Sequence, residues 1–143
     1  AKPIDIWVGG SAPGAFRRAG RLADGWLGSF LTRDEARAAR EAIQAAAKEA
    51  GREIEPDHFG ISLAVATEGI PAELAAAVQQ RRPGTDPATL VAVGWEDARR
   101  MIEEYVDAGL SKFVIRPATV SSAPGGLEEF LEHFVSEMMP LQN

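Results

Sequence analysis

Cysteine is absent from the chain, which excludes disulfides, thiolate catalysis and cysteine-built metal sites together. Histidine occurs only at His58 and His133, too few and too far apart in sequence for a histidine-rich metal centre. A basic excess is also missing. The formal net charge is -6, so nothing draws the chain to nucleic acid or to an acidic membrane surface. No apolar run reaches the length of a membrane span, and the N-terminus lacks the charged-then-apolar layout of a signal peptide. A cytoplasmic protein is the resulting expectation. What is present is ordinary for a globular domain: 143 residues, 45% hydrophobic and 25% charged, enough for one domain with a real core.

The most informative stretch runs from Ile4 to Phe16. Ile4, Ile6 and Val8 alternate with Asp5 and Trp7, a β-branched run suited to a strand. Gly9 and Gly10 follow, and without a Cβ they allow a sharp turn and close approach by another group. Ser11 suits an N-cap and Pro13 suits the first helical turn, where its missing N–H costs nothing. A helix start has amide N–H groups without partners and a partial positive charge. A strand leading through a glycine turn into such a start can cradle a phosphate, or can be a plain βα turn with no ligand.

Beyond it, Ala15, Phe16, Ala19 and Leu22 recur at helical spacing and predict a helix over 12–23, ended by Asp24-Gly25. Trp26 to Phe30 reads as a second strand that includes the small residues Gly28 and Ser29, another place where backbone can approach a ligand. Thr32-Arg33-Asp34-Glu35 is a capping box. The helix behind it runs from Asp34 to Ala50, with a stripe of Ala36, Ala39, Ile43, Ala46, Ala47 and Ala50, and closes at Gly51. Phe59 to Thr67 is apolar or small on both faces, as strands buried in parallel sheets are. His58, just before it, has no acidic or nucleophilic partner arranged with it and reads as structural. A helix opens at Pro71 and breaks at Arg81-Arg82-Pro83-Gly84. Leu90 to Gly94 is ambiguous and is taken as a lead-in to the helix that follows Gly94 and ends at Ala108-Gly109. Lys112 to Pro117 is the fourth strand, residues 118–126 form a Ser/Gly/Pro loop, and Leu127 to about Pro140 forms a last amphipathic helix with His133 on its surface.

Strands alternating with covering helices imply a parallel α/β sheet with right-handed crossovers. The series Ile4 to Ser11, then Arg18-Ala19-Gly20-Arg21-Leu22-Ala23-Asp24-Gly25-Trp26, resembles the luciferase-like monooxygenase superfamily. Gly94-Trp95-Glu96-Asp97, Glu103 to Gly109, Phe113-Val114-Ile115-Arg116 and the proline-ended last helix resemble it too. The nearest flavour is the branch that includes enzymes using the deazaflavin coenzyme F-420, beside enzymes using FMN. Such proteins are (β/α)8 TIM barrels with the cofactor at the C-terminal ends of the strands.

The resemblance implies that Gly9, Gly10, Ser11 and Ala12 hold the cofactor phosphate through backbone amides, with Pro13 starting the helix below and Gly28 and Ser29 lining the same pocket. It also implies that these motifs are the C-terminal half of a barrel: four parallel strands with covering helices, forming one domain over 1–143. The front half would supply most substrate contacts and the acid–base residues, so no catalytic residue carries over. The expectation is therefore part of a flavin- or deazaflavin-dependent oxidoreductase or monooxygenase acting on a small organic substrate. The alternative is a non-catalytic half-barrel module. A dinucleotide-binding Rossmann unit is weaker, because Gly9 to Gly14 lacks the G-x-G-x-x-G spacing. On either of the first two readings, open strand edges predict self-association into a homo-oligomer.

Overall fold

The computed structural model describes residues 3–118 and 125–142. It contains a five-stranded sheet in which β1, β2, β3 and β4 are neighbours in that order and β5 pairs with β3. The chain divides into two compact units, Ala1–Ser62 with Glu104–Val114, and Leu63–Glu103 with Ile115–Asn143.

In the first unit β1 (Trp7–Val8), α1 (Pro13–Leu22), β2 (Gly25–Ser29) and α2 (Arg33–Glu49) lead into β3 (Phe59–Ala66). The pairing is parallel throughout: Trp7 lies opposite Gly25, Val8 opposite Trp26, and Trp26 to Ser29 lie opposite Phe59 to Ser62. Trp26, Ile43, Phe59 and Ile61 are fully buried and form the heart of this core. The predicted alanine stripe of α2 is buried from Ala36 to Ala47, while Ala50 is the exposed C-cap. At Gly20 of α1 a Cβ would fall 2.5 Å from the Ile43 carbonyl and 2.7 Å from the Ala46 Cβ. Glycine and alanine on facing sides thus let two helix backbones approach closely. The capping box forms as expected, with Thr32 N–H donating to Glu35 Oε2 at 2.8 Å and Glu35 N–H donating to Thr32 Oγ1 at 3.4 Å.

The start of β5 (Lys112–Pro117) joins β3 through Ser111 N–H donating to the Phe59 carbonyl at 2.9 Å. The buried Tyr105 donates its hydroxyl to the Leu31 carbonyl at 2.6 Å, and burial pushes its pKa up to about 12, helped by the charges of Glu104 and Glu35.

In the second unit, Ala64 to Ala66 of β3 lie opposite Val91 to Val93, which form a short strand β4. The residues alone leave that segment ambiguous between a strand and an apolar lead-in, and the structure makes it a strand. Three residues are too few to display a period of two. Around it stand α3 (Ala72–Arg81), α4 (Trp95–Asp107) and α5 (Gly126–Met138). Trp95 and Phe130 hold α4 and α5 together with ring centroids 5.0 Å apart, and Arg99 pairs with Glu137 at 3.4 Å. Ala118 N–H donates to the Val65 carbonyl at 2.8 Å, so the end of β5 advances along β3 in step with its start, and the two strands run parallel. The loop expected over 118–126 falls largely outside the described residues.

Two boundaries differ from expectation. Strand β1 is only two residues long, and Ile4 and Ile6 before it are exposed. The N-cap of α1 is Ala12, not Ser11, and no side chain caps the helix.

Candidate functional site

The strand–turn–helix at the start of the chain is built by three devices. Gly10 stands at φ +108, a conformation open to glycine and strained for any L side chain, and a Cβ there would also meet the Ala15 Cβ at 2.8 Å. Trp26, buried in β2, donates its indole N–H to the Gly10 carbonyl at 3.0 Å and packs edge-on against Phe16 of α1, 6.0 Å between centroids. One side chain thereby fixes both the turn and the helix that follows. Asp24 anchors the strand leading in. Its N–H donates to the Ile6 carbonyl and its Oδ2 accepts from the Ile6 N–H, both at 2.8 Å.

The other end of α1 is held as firmly. Arg52 donates to the carbonyls of Gly20 at 2.9 Å and Ala23 at 3.1 Å, and its guanidinium lies 3.7 Å from Asp24. These are carbonyls that a helix end leaves without intrahelical partners. His58 shares a 2.8 Å hydrogen bond between Nδ1 and the Asp24 carbonyl. A carbonyl only accepts, so Nδ1 carries the proton. The ring also lies against Trp7, 5.3 Å between centroids. His58 is a structural histidine, as the sequence indicated.

At the turn itself Gly9, Gly10, Ser11, Ala12 and Pro13 are all exposed. Ala15 and Phe16 N–H both donate to the Ala12 carbonyl, and no side chain caps the helix. The amides of Ser11, Ala12 and Gly14 have no protein partner among the described residues. Exposed amides at the positive end of a ten-residue helix, with no acidic residue in its first turn, suit an anion and above all a phosphate.

The structure separates the two small residues of β2. Ser29 is exposed at the strand end, in register with Ser62. Gly28 is buried, and a Cβ there would run into the Trp26 ring. Its lack of a side chain makes room for the indole that pins Gly10. Phe30 follows at φ +53, the one non-glycine residue with positive φ among those described, and it redirects the chain where β2 ends. The sequence reading missed both Trp26 as the clamp and Phe30 as a strained position. The Asp24-Gly25-Trp26 run signalled the first, and nothing in the residues signals the second.

A second concavity, a groove of about 680 Å³, lies along α4 between Val93, Glu96, Arg99 and Leu141. Both of its arginines are paired, Arg100 with Asp97 in the groove and Arg99 with Glu137 of α5. Among the described residues no group of His, Asp and Glu could hold a metal ion, and no helix is long and apolar enough to cross a membrane.

Parallel strands alternating with outer helices, and a glycine turn opening the first helix, define the class: part of a β/α barrel of the TIM type. Solved structures agree. The coenzyme F-420-dependent tetrahydromethanopterin reductase of Methanopyrus kandleri aligns with TM-score 0.67 and 17% identity, over 98% of this chain and 51% of its own. An F-420-dependent secondary alcohol dehydrogenase aligns with TM-score 0.68 and 14% identity, over 99% and 50%. The EDTA monooxygenase of Chelativorans sp. aligns with TM-score 0.60 and 16% identity, over 97% and 44%. The chain spans about half the length of these proteins. No curated protein matches it at a significant level. The luciferase-like monooxygenase family model matches residues 1–116, and the chain belongs to that family.

Proposed function

We propose that this chain is the phosphate-binding part of a flavin- or deazaflavin-dependent oxidoreductase, with FMN or coenzyme F-420 anchored at Gly9 to Pro13. The observation that carries this reading is the uncapped start of α1, where three partnerless amides stand behind a glycine turn clamped by Trp26. Membership of the luciferase-like monooxygenase family supports it, as do two structural neighbours whose names state F-420 dependence.

The cofactor, when bound, supplies hydride transfer or oxygen activation toward a small organic substrate. The residues here bind and orient. Ser11, Ala12 and Gly14 donate backbone hydrogen bonds to phosphate oxygens, the helix dipole adds a favourable field, and Ser29 offers a hydroxyl at the end of the next strand. No acid–base group stands in the Gly9 to Pro13 turn, so proton transfer belongs to residues outside this stretch.

The test is a fluorescence titration of the purified chain with FMN, riboflavin and coenzyme F-420. Saturable binding of FMN or F-420, with riboflavin at least about tenfold weaker than FMN because it lacks the phosphate, supports the reading. No saturable response to either phosphorylated cofactor refutes it, as does equal affinity for riboflavin and FMN.

A further inference from the structure

The strained position at the end of β2 is occupied by an aromatic residue, and the bend alone does not account for that choice. Phe30 has φ +53, where the side chain of an L residue crowds its own backbone. A sharp turn with this angle is ordinarily left to glycine or asparagine. Phenylalanine there costs stability that either of those residues would save.

The chain on both sides of Phe30 leaves its backbone no room to relax. Before it, Ser29 ends β2 in register with Ser62 of β3. After it, Leu31 is buried, and its carbonyl accepts from the Tyr105 hydroxyl at 2.6 Å. Thr32 then forms the capping box with Glu35, which fixes where α2 starts. The strained residue is clamped from both directions, yet Phe30 is only partly buried. A ring kept at such a cost without full burial does more than fill the core, and departures of this kind from local preference gather at functional sites.

Its place in the fold fits a ligand contact. Phe30 stands at the C-terminal end of a strand, the end at which β/α barrels build their sites. Gly9 runs alongside Leu27, its Cβ position 3.2 Å from the Leu27 carbonyl, and Trp26 ties Gly10 to β2. Phe30 lies beyond Leu27 by about 10 Å at the rise of a strand. The sugar-alcohol linker of a flavin or deazaflavin separates phosphate from ring by a distance of this order.

We propose that Phe30 is the contact for the planar ring of the ligand whose phosphate rests on the amides of Ser11, Ala12 and Gly14. The inference rests on the phosphate placement proposed above and adds the other end of the same ligand. Ring against ring buries apolar surface that a phosphate alone does not bring, so Phe30 sets the preference for a flavin or deazaflavin over other phosphates.

The test compares the wild type with Phe30→Asn and Phe30→Tyr. FMN binding is read by fluorescence titration, and inorganic phosphate binding by the amide NMR shifts of Ser11, Ala12 and Gly14. Asparagine accepts the backbone angle, so Phe30→Asn is expected to melt at or above the wild-type temperature and to keep its phosphate shifts. Without the ring it is expected to bind FMN about tenfold more weakly, while Phe30→Tyr keeps wild-type affinity within about twofold. A Phe30→Asn variant that binds FMN as tightly as the wild type overturns the ring contact, as does a Phe30→Tyr variant as weak as Phe30→Asn. A Phe30→Asn variant that melts lower and loses FMN and phosphate together shows a structural ring and overturns it too. A wild type that takes phosphate on these amides, but FMN no more tightly, overturns the ring contact and leaves the phosphate placement standing. A wild type that takes neither overturns both.

Discussion

Replacing Ala12 by aspartate separates the two things the opening turn does. Ala12 is the N-cap of α1, with φ -85 and ψ 151, backbone angles that suit a capping aspartate, and no side chain now caps the helix. The new carboxylate would accept a hydrogen bond from an N-terminal amide and oppose the helix dipole. Capping contributes about 1 kcal/mol, and the charge adds about 0.3–1 kcal/mol. For a chain of this length about 1 kcal/mol corresponds to roughly 3–5 °C in Tm. The carboxylate pKa is lowered by the folded state, so the gain is full above about pH 5 and is lost as the pH falls through the folded-state value.

The same charge should expel a phosphate. A carboxylate about 5 Å from a phosphate costs roughly 1–3 kcal/mol per charge pair at effective dielectric constants between water and a protein surface. That is roughly 5- to 150-fold in affinity, with a further loss because the carboxylate occupies an amide the phosphate needs. Differential scanning calorimetry and FMN titration read the two effects separately. Ala12→Asn caps without charge and should keep most of the affinity. A more stable Ala12→Asp variant that binds FMN as tightly as its parent refutes the placement of the phosphate. Gly10 is a poorer probe, because a side chain there would strain the backbone and collide with Ala15, so binding and folding would fail together.

Trp26→Phe keeps a ring against Phe16 but removes the donor to the Gly10 carbonyl. It should cost about 1 kcal/mol in urea denaturation and weaken FMN binding, and unchanged binding would show that the turn holds without its clamp. Thr32→Ala removes one arm of the capping box and should cost about 1 kcal/mol, read as a fall in Tm, with no change in affinity for FMN. Tyr105→Phe leaves the Leu31 carbonyl without its donor and should cost about 1–2 kcal/mol at neutral pH. The folded state raises the Tyr105 pKa to about 12 from an ordinary 10, so wild-type stability is full below about pH 10 and falls as the pH rises toward 12. The Phe variant lacks that component, and parallel stability curves for the two proteins over pH 9–12 would contradict the buried phenol.

The long elements were readable because their signals are periodic or chemical. Alanine at helical spacing behind Thr32 and Glu35 placed α2, and the run of apolar or small residues from Phe59 placed β3. Strand β1 shows the limit of such patterns. Ile4, Ile6 and Val8 alternate as a strand should, yet only Trp7–Val8 pairs, and the two isoleucines stay exposed. Apolar alternation reports which residues a strand would bury, not which partner covers them. The helix cap was misplaced by one residue, because Ser11 has the chemistry of a cap while Pro13 fixes the first helical position and leaves Ala12 as the flanking residue. Gly28 was legible as a small residue, but its neighbour in space was not. Period-two alternation puts Trp26 on the same side of the strand, and the size of the indole decides that Gly28 must be bare.

The bare backbone at Gly20 makes α2 a reference surface for the far end of α1. Ten residues of helix span about 15 Å, and the turn that would receive a phosphate rides on the other end of that rod. With no side chain at Gly20, its backbone rests on the α2 backbone and the Ala46 methyl, a close-packed spacer of low compressibility. A methyl group added at Gly20, or a larger residue at Ala46, would tilt the rod, and the error would emerge at Ser11 and Ala12 as misaimed amides. The tolerance of that turn to change is therefore set in part on α2, roughly thirty residues downstream in sequence, by alanines far from the turn itself.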